Sequence, residues 1–238
     1  MKKLLKKYIP AQLWSLLRQK YYKSKEDYYK LILNDYSQAG ETIVIRNILN
    51  GRKTKKGFFV EIGANDGITV SSTFGLVKEG WSGLSVEANP NVFIRLERNL
   101  KEFPKVKTVC AAVALKNGPV KLFYGKNDPH GLLSTISNES SEWFEEHRSE
   151  EYIEVPGVPL NDLLEAQKAP LCPDLLIIDT EGMDYEILQS LDFHKYKPKL
   201  IVTEDYSPKN SKKFQLLELA GYSFVQQVGC NTFWLKTY

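Results

Sequence analysis

The 238-residue chain has only three cysteines, three histidines and two methionines, and it has no long apolar run. A membrane-spanning helix needs about 18 consecutive apolar residues, and no stretch supplies them. Cys110, Cys172 and Cys230 are scattered, odd in number and without metal-ligand spacing, which argues against a disulfide framework. They read as small buried apolar residues in a reducing compartment, hence a cytoplasmic protein. Charge of one sign is lacking too: 32 basic residues face 29 acidic ones, a net charge of +3, which makes no case for a nucleic-acid partner. Lys6, Lys7 and Pro10 interrupt the amino-terminal apolar stretch before it reaches the length of a secretory h-region. Internal repeats, low-complexity tracts and a second-domain linker are missing as well. A chain of this length fits one domain of ordinary size with some decoration.

The first 36 residues are basic and amphipathic. Lys2, Lys3, Lys6, Lys7, Arg18 and Lys20 interleave with Leu4, Leu5, Leu13, Trp14, Leu16 and Leu17. This composition suits a peripheral contact with the anionic inner face of a membrane, or a helical extension packed on the main domain or on a second copy of the chain. Residues 1–36 are therefore read as a basic helical extension and 37–238 as the domain.

From Ser37 the pattern alternates. Gly57 to Glu61, Gly83 to Glu87, Val106 to Val113, Asp174 to Asp179 and Lys199 to Glu204 read as strands, several of them apolar on both faces. Thr69 to Lys78, Asn91 to Phe103, Met183 to Leu191 and Lys209 to Ala220 read as helices, with Asn89-Pro90, Gly80 and Gly221 as starts and stops. This β-α alternation predicts a doubly wound α/β sheet, mostly parallel, with helices on both faces. Tyr222 to Val228 and Asn231 to Lys236 predict an antiparallel hairpin at one edge.

Ligands of such a sheet sit at the carboxyl ends of its strands. There the sequence places Glu61, Gly63, Asn65, Asp66 and Gly67, then Glu87 and Asn89, then Asp179 and Glu181, then Glu204 and Asp205. This acidic rim repels a pyrophosphate and suits a cation or a hydroxyl-rich ligand. The turn EIGANDG fails the dinucleotide fingerprint, with Asn65 and Ile68 where glycines belong, and no Lys-Ser or Lys-Thr makes it a phosphate loop. The tight turn itself survives, because Asn accepts left-handed backbone angles. Glu87 follows Gly67 by 20 residues, where a carboxylate can accept both hydroxyls of a ribose. Together these features point to an adenosine-containing ligand without a pyrophosphate.

EIGANDG, SVEANP and IDTEGMDYEIL, in that order and spacing, resemble the signature segments of the FkbM-type methyltransferases, a class I branch that uses S-adenosylmethionine. The resemblance runs from about residue 37 to the carboxyl end. It implies a Rossmann-like seven-stranded sheet with an antiparallel last strand. It further implies that Glu61, Gly63, Asn65, Asp66 and Gly67 approach the methionine part of the cofactor. Glu87 would then hold the ribose, Ala111 and Ala112 would border the adenine, and Ala88 and Asp179 would also belong to the cofactor site. The wider pattern has glycine where Asn65 stands. The reaction implied is O-methylation of a saccharide or glycan-linked hydroxyl; natural-product and lipid acceptors, or a non-catalytic binding module on the same fold, are the alternatives.

A hydroxyl acceptor benefits from a general base or a metal. His130, in a polar loop, and Asp179 are the candidate bases, with a surface histidine as the bland reading of the first. Asp179, Glu204 and Asp205, with Glu181, are candidate ligands for magnesium or manganese, similar to magnesium-dependent macrolide-sugar O-methyltransferases. Helix capping and substrate binding without metal is the equal alternative. Asp184 and Glu186 are expected on the solvated face of their helix. Residues 125–157, with Ser134, Trp143 and Phe144, form the largest insertion and are the expected seat of acceptor specificity.

Overall fold

A computed structural model describes residues 32–51, 56–128, 131–137 and 146–237, with residues 25, 27, 29 and 30. Most of the expected amino-terminal extension, His130, Trp143 and Phe144 lie outside the described residues.

Seven strands form the main sheet: β1 (Phe58–Ile62), β2 (Ser82–Glu87), β3 (Val106–Cys110), β7 (Leu175–Ile178), β8 (Leu200–Glu204), β9 (Tyr222–Val228) and β10 (Asn231–Lys236). Their order is β3-β2-β1-β7-β8-β10-β9. The first five in this order are parallel, and β10 runs antiparallel to both β8 and β9. The expected fold class, including the edge hairpin, is what the chain adopts.

Residues on successive positions of the central strands serve opposite faces, which is why these strands read as uninterrupted apolar runs. Phe59, Leu175, Ile177 and Phe233 pack against α1 (Glu41–Gly51), α2 (Phe74–Lys78) and α3 (Pro90–Leu100). Val60, Ile62, Leu176 and Trp234 pack on the other side against α4 (Leu160–Ala166), α5 (Asp184–Ser190) and α6 (Lys212–Leu219). The start of α3 is the expected one: Asn89 caps it by accepting from Asn91 N at 3.0 Å, and Pro90 occupies its first turn.

Local side-chain bonds overrule periodicity in places. The helix expected over Thr69 to Lys78 shrinks to α2, because Asp66 captures the amides of Ile68 and Thr69 and Ser71 captures those of Thr73 and Phe74. The strand expected over Val106 to Val113 splits. After β3, β4 (Ala112–Val113) leaves for a second sheet with β5 (Gly118–Gly125) and β6 (Arg148–Val158), in the order β4-β6-β5. That sheet flanks the carboxyl ends of β2 and β3. Cys172 is exposed rather than buried. No helix among the described residues is long and apolar enough to cross a membrane.

Asp184 corrects the expectation of a solvated residue. It is 4 % exposed and faces inward. Its Oδ1 accepts from Thr180 N and Oγ1 at 2.9 and 2.7 Å, and its Oδ2 from Thr203 Oγ1 at 2.9 Å and Glu204 N at 3.2 Å. Lys213 Nζ stands 4.0 Å away. The helical period alone put Asp184 on the outside; the acidic first turn of α5 is instead drawn into the cleft between the ends of β7 and β8. Asp184→Ala strands those donors in a buried place, and chemical denaturation is expected to show a loss of about 3 kcal/mol.

Candidate active site

A cavity of about 340 Å³ opens at the carboxyl ends of β1, β2, β7 and β8, within the size range of small-molecule sites. The segment after β1 forms its floor. Gly63 has φ +86, and a Cβ there would lie 1.8 Å from the main-chain oxygen of Asp179. Only glycine allows β1 and β7 to end so close together. Gly63 N and Ala64 N both donate to Val86 O at 3.0 Å, which carries the turn across to β2.

Asn65 adopts the left-handed conformation, φ 48, that the failed glycine pattern requires of it. Its amide donates to Glu87 Oε2 at 2.9 Å, its Oδ1 accepts from Asp66 N at 2.6 Å, and its Nδ2 donates to Gly131 O at 3.2 Å. The side chain that replaces glycine therefore ties the turn to the loop above the cavity. Asp66 and Gly67 do not line the cavity. Asp66 closes the turn. Burial raises its pKa, but hydrogen bonds from Thr69 and Ile68 and the charge of Arg95 outweigh this and hold it below the ordinary value. Gly67 lets the turn pack on α3, where a Cβ would lie 2.7 Å from Leu96 Cδ1.

Glu87 ends β2, 6 % exposed, and accepts from Asn89 N at 2.7 Å as well as from Asn65 N. A carboxylate has about four acceptor positions, so capacity remains on the cavity side for ligand hydroxyls. Ala88, Ala111, Ala112, Leu122 and Ile136 make an apolar recess next to it, suited to a flat purine. Glu61, on the floor, accepts from Thr73 Oγ1 at 2.7 Å. Burial raises the pKa of Glu61 and of Glu87 to about 7, despite the hydrogen bonds each receives.

Asp179, Glu181 and Glu204 form the acidic wall. Burial and the neighbouring charges of Asp184, Glu204 and Glu61 hold the Asp179 carboxyl well above its usual range. Burial and Asp179 push Glu181 up to about 9. Tyr206 is held above its ordinary value by its hydrogen bond to Glu204, and burial with the same glutamate pushes Cys230 up to about 12.

The expected metal centre is not assembled. Asp205 does not line the cavity: it is buried, its Oδ1 accepts from Ser207 N at 3.0 Å, and its amide donates to Cys230 O. Among the described residues no three His, Cys, Asp or Glu side chains are grouped to hold an ion. Alternation along the chain turns Asp205 to the side opposite Glu204, so adjacent carboxylates in sequence do not converge in space. Two lining residues without any signal in the sequence are Gln38, just ahead of α1, and Glu41, at its start.

The strand order, with β10 alone reversed, and a small-molecule cavity over the glycine turn are those expected of a class I methyltransferase dependent on S-adenosylmethionine. Residues 61–224 match the Methyltransferase FkbM domain, and the chain belongs to that family. Solved structures similar to it include the FkbM methyltransferase from Methylobacillus flagellatus KT, 11% identical with a TM-score of 0.49, covering 76% of this chain and 44% of that one. Others are precorrin-6y C5,15-methyltransferase from Geobacter metallireducens (15% identity, TM-score 0.45, 82% and 87% of the two chains) and a putative O-methyltransferase from Klebsiella pneumoniae (15%, 0.45, 84% and 81%). No curated protein matches the sequence.

Glu61 and Glu87 generate a pH dependence. Unfolded they lose the proton near 4.5 and folded near 7, so between these values the folded chain holds more protons. Stability contributed by these groups is present below the lower value and lost as the pH rises through the upper one. Urea midpoints are expected to fall across that window, with a shallower fall in Glu61→Gln. S-adenosylhomocysteine should show the opposite trend, binding more tightly as Glu87 ionises near 7, and Glu87→Gln should flatten that rise in titration calorimetry.

Proposed function

We propose that the enzyme transfers the methyl group of S-adenosylmethionine to a hydroxyl of a saccharide or glycan-linked acceptor. The carboxylate wall carries this reading: Asp179, Glu181 and Glu204 face the cavity, and no lysine, arginine or histidine is among its described lining residues. Such a wall accepts hydroxyl donors and offers phosphate-rich acceptors no cationic partner among the described lining residues. Bound S-adenosylmethionine supplies a methyl carbon made electrophilic by the adjoining sulfonium.

The chain's residues supply position, dryness and a base. Glu87 and the Ala111–Ala112 recess orient the adenosyl group. The acceptor oxygen must lie in line behind the methyl carbon, and alignment of this kind is where such a protein contributes most to rate. An aliphatic hydroxyl is a weak acid; burial and its neighbours raise the proton affinity of Asp179, and the positive charge of a bound sulfonium would favour its ionised form, which is suited to take that proton. Gly131, Leu132, Leu133 and Ser134 bring the 125–157 insertion into the cavity wall, which supports its assignment to acceptor selection. His130 belongs to the same loop but lies outside the described residues.

Labelled S-adenosylmethionine offered with a panel of methyl glycosides is expected to yield methyl ethers. Asp179→Asn should slow transfer by about a hundredfold or more while S-adenosylhomocysteine still binds. Preferential transfer to nitrogen acceptors, or undiminished activity in the variant, would contradict the proposal.

A further inference from the structure

The cavity has a wall that the family match does not include. Residues 35–41 form a strap ahead of α1 that supplies two lining residues, Gln38 and Glu41, and is bonded at both ends. Asp35, 1 % exposed, accepts from Ser37 N at 2.9 Å and Ile43 N at 3.3 Å. Thr42 Oγ1 donates to Ser72 O at 3.1 Å, on the segment that follows the glycine turn. Glu41 accepts from Ala39 N at 2.7 Å and from Asn231 Nδ2 at 3.2 Å, at the start of β10. Gln38 sits at the crest, exposed to solvent and lining the cavity.

This strap lies at the end opposite the ribose site. Glu87 and Ala112 stand over β2 and β3, whereas the strap is fastened to the β1 exit and to β10. A ligand whose adenosyl part occupies the β2–β3 end must send its amino-acid part toward the strap.

That part carries an ammonium and a carboxylate. The acidic wall suits the ammonium, and the carboxylate meets no basic side chain among the described lining residues. Most hydroxyls and amides there already donate elsewhere: Thr69 to Asp66, Thr180 to Asp184, and Asn231 to Glu41. Tyr206 is hydrogen-bonded to Glu204, and Ser71 Oγ, which accepts from Thr73 N and Phe74 N, lies 3.3 Å from Thr73 Oγ1, whose own proton goes to Glu61. Gln38 and Ser72 are left at this end.

We infer that Gln38, with Ser72, holds the amino-acid end of the cofactor, the Gln38 carboxamide donating to the α-carboxylate. The inference rests on the S-adenosylmethionine reading. A carboxamide suits a zwitterion because it donates and accepts through adjacent atoms. Asp35 and Glu41, committed to backbone amides, hold the strap rather than the ligand.

Calorimetry on the full chain with S-adenosylhomocysteine and with 5′-methylthioadenosine, which lacks the amino-acid part, separates the outcomes. Gln38→Ala is expected to weaken S-adenosylhomocysteine about tenfold, as for a hydrogen bond to a charged group, with methylthioadenosine unchanged. Gln38→Glu should weaken S-adenosylhomocysteine further by repelling the carboxylate. The same affinity for S-adenosylhomocysteine in both variants, or a parallel loss for methylthioadenosine, overturns the role of Gln38. A wild-type chain that binds neither ligand removes the cofactor reading itself, and the inference with it.

Discussion

The site depends on one close approach, that of Gly63 to the main chain of Asp179. With a Cβ excluded at Gly63, the ends of β1 and β7 come together, and Asp179 N donates to Ile62 O at 3.0 Å. The same turn sends two amides to Val86 and a third, from Asn65, to Glu87. The cavity floor, Glu87 and Asp179 are thus referenced to a single backbone contact. Everything the cavity does with a ligand inherits that geometry.

Electrostatics then decide what the cavity accepts. Burial holds Glu61 and Glu87 toward the protonated state, and burial together with neighbouring carboxylates does the same for Asp179 and Glu181. Crowding carboxylates in a partly dry place is costly, and a cationic or hydroxyl-bearing ligand relieves the cost. Lys213, beside Asp184 and donating to Glu204 O, offsets part of it from behind the wall. Among the described residues, no three acidic, histidine or cysteine side chains converge to hold an ion.

Outside the 61–224 match, the chain adds Gln38 and Glu41 on one side and Asn231 on the other, joined by the Glu41–Asn231 bond. The matched core of the fold supplies most of the cavity lining, and segments at its two flanks complete it.

Much of this was legible in the sequence because it is carried by short-range chemistry. Apolar runs on both faces define the parallel strands, Asn89-Pro90 opens α3, and the spacing from the glycine turn to Glu87 places a carboxylate beside it. What the sequence could not determine is which way side chains turn once backbone bonds compete with periodicity. Asp184 reads as solvated on a helical wheel yet is buried, because Thr180, Thr203 and Glu204 offer it four donors. Asp205 sits next to Glu204 yet leaves the cavity, because the chain alternates there. Gln38 carries no local signal at all, and only the contacts of the strap with Ser72 and Asn231, far away in sequence, bring it to the cavity. The sequence by itself determined the class of fold and its cofactor; tertiary packing decided which polar groups face the ligand, since that choice depends on partners distant along the chain.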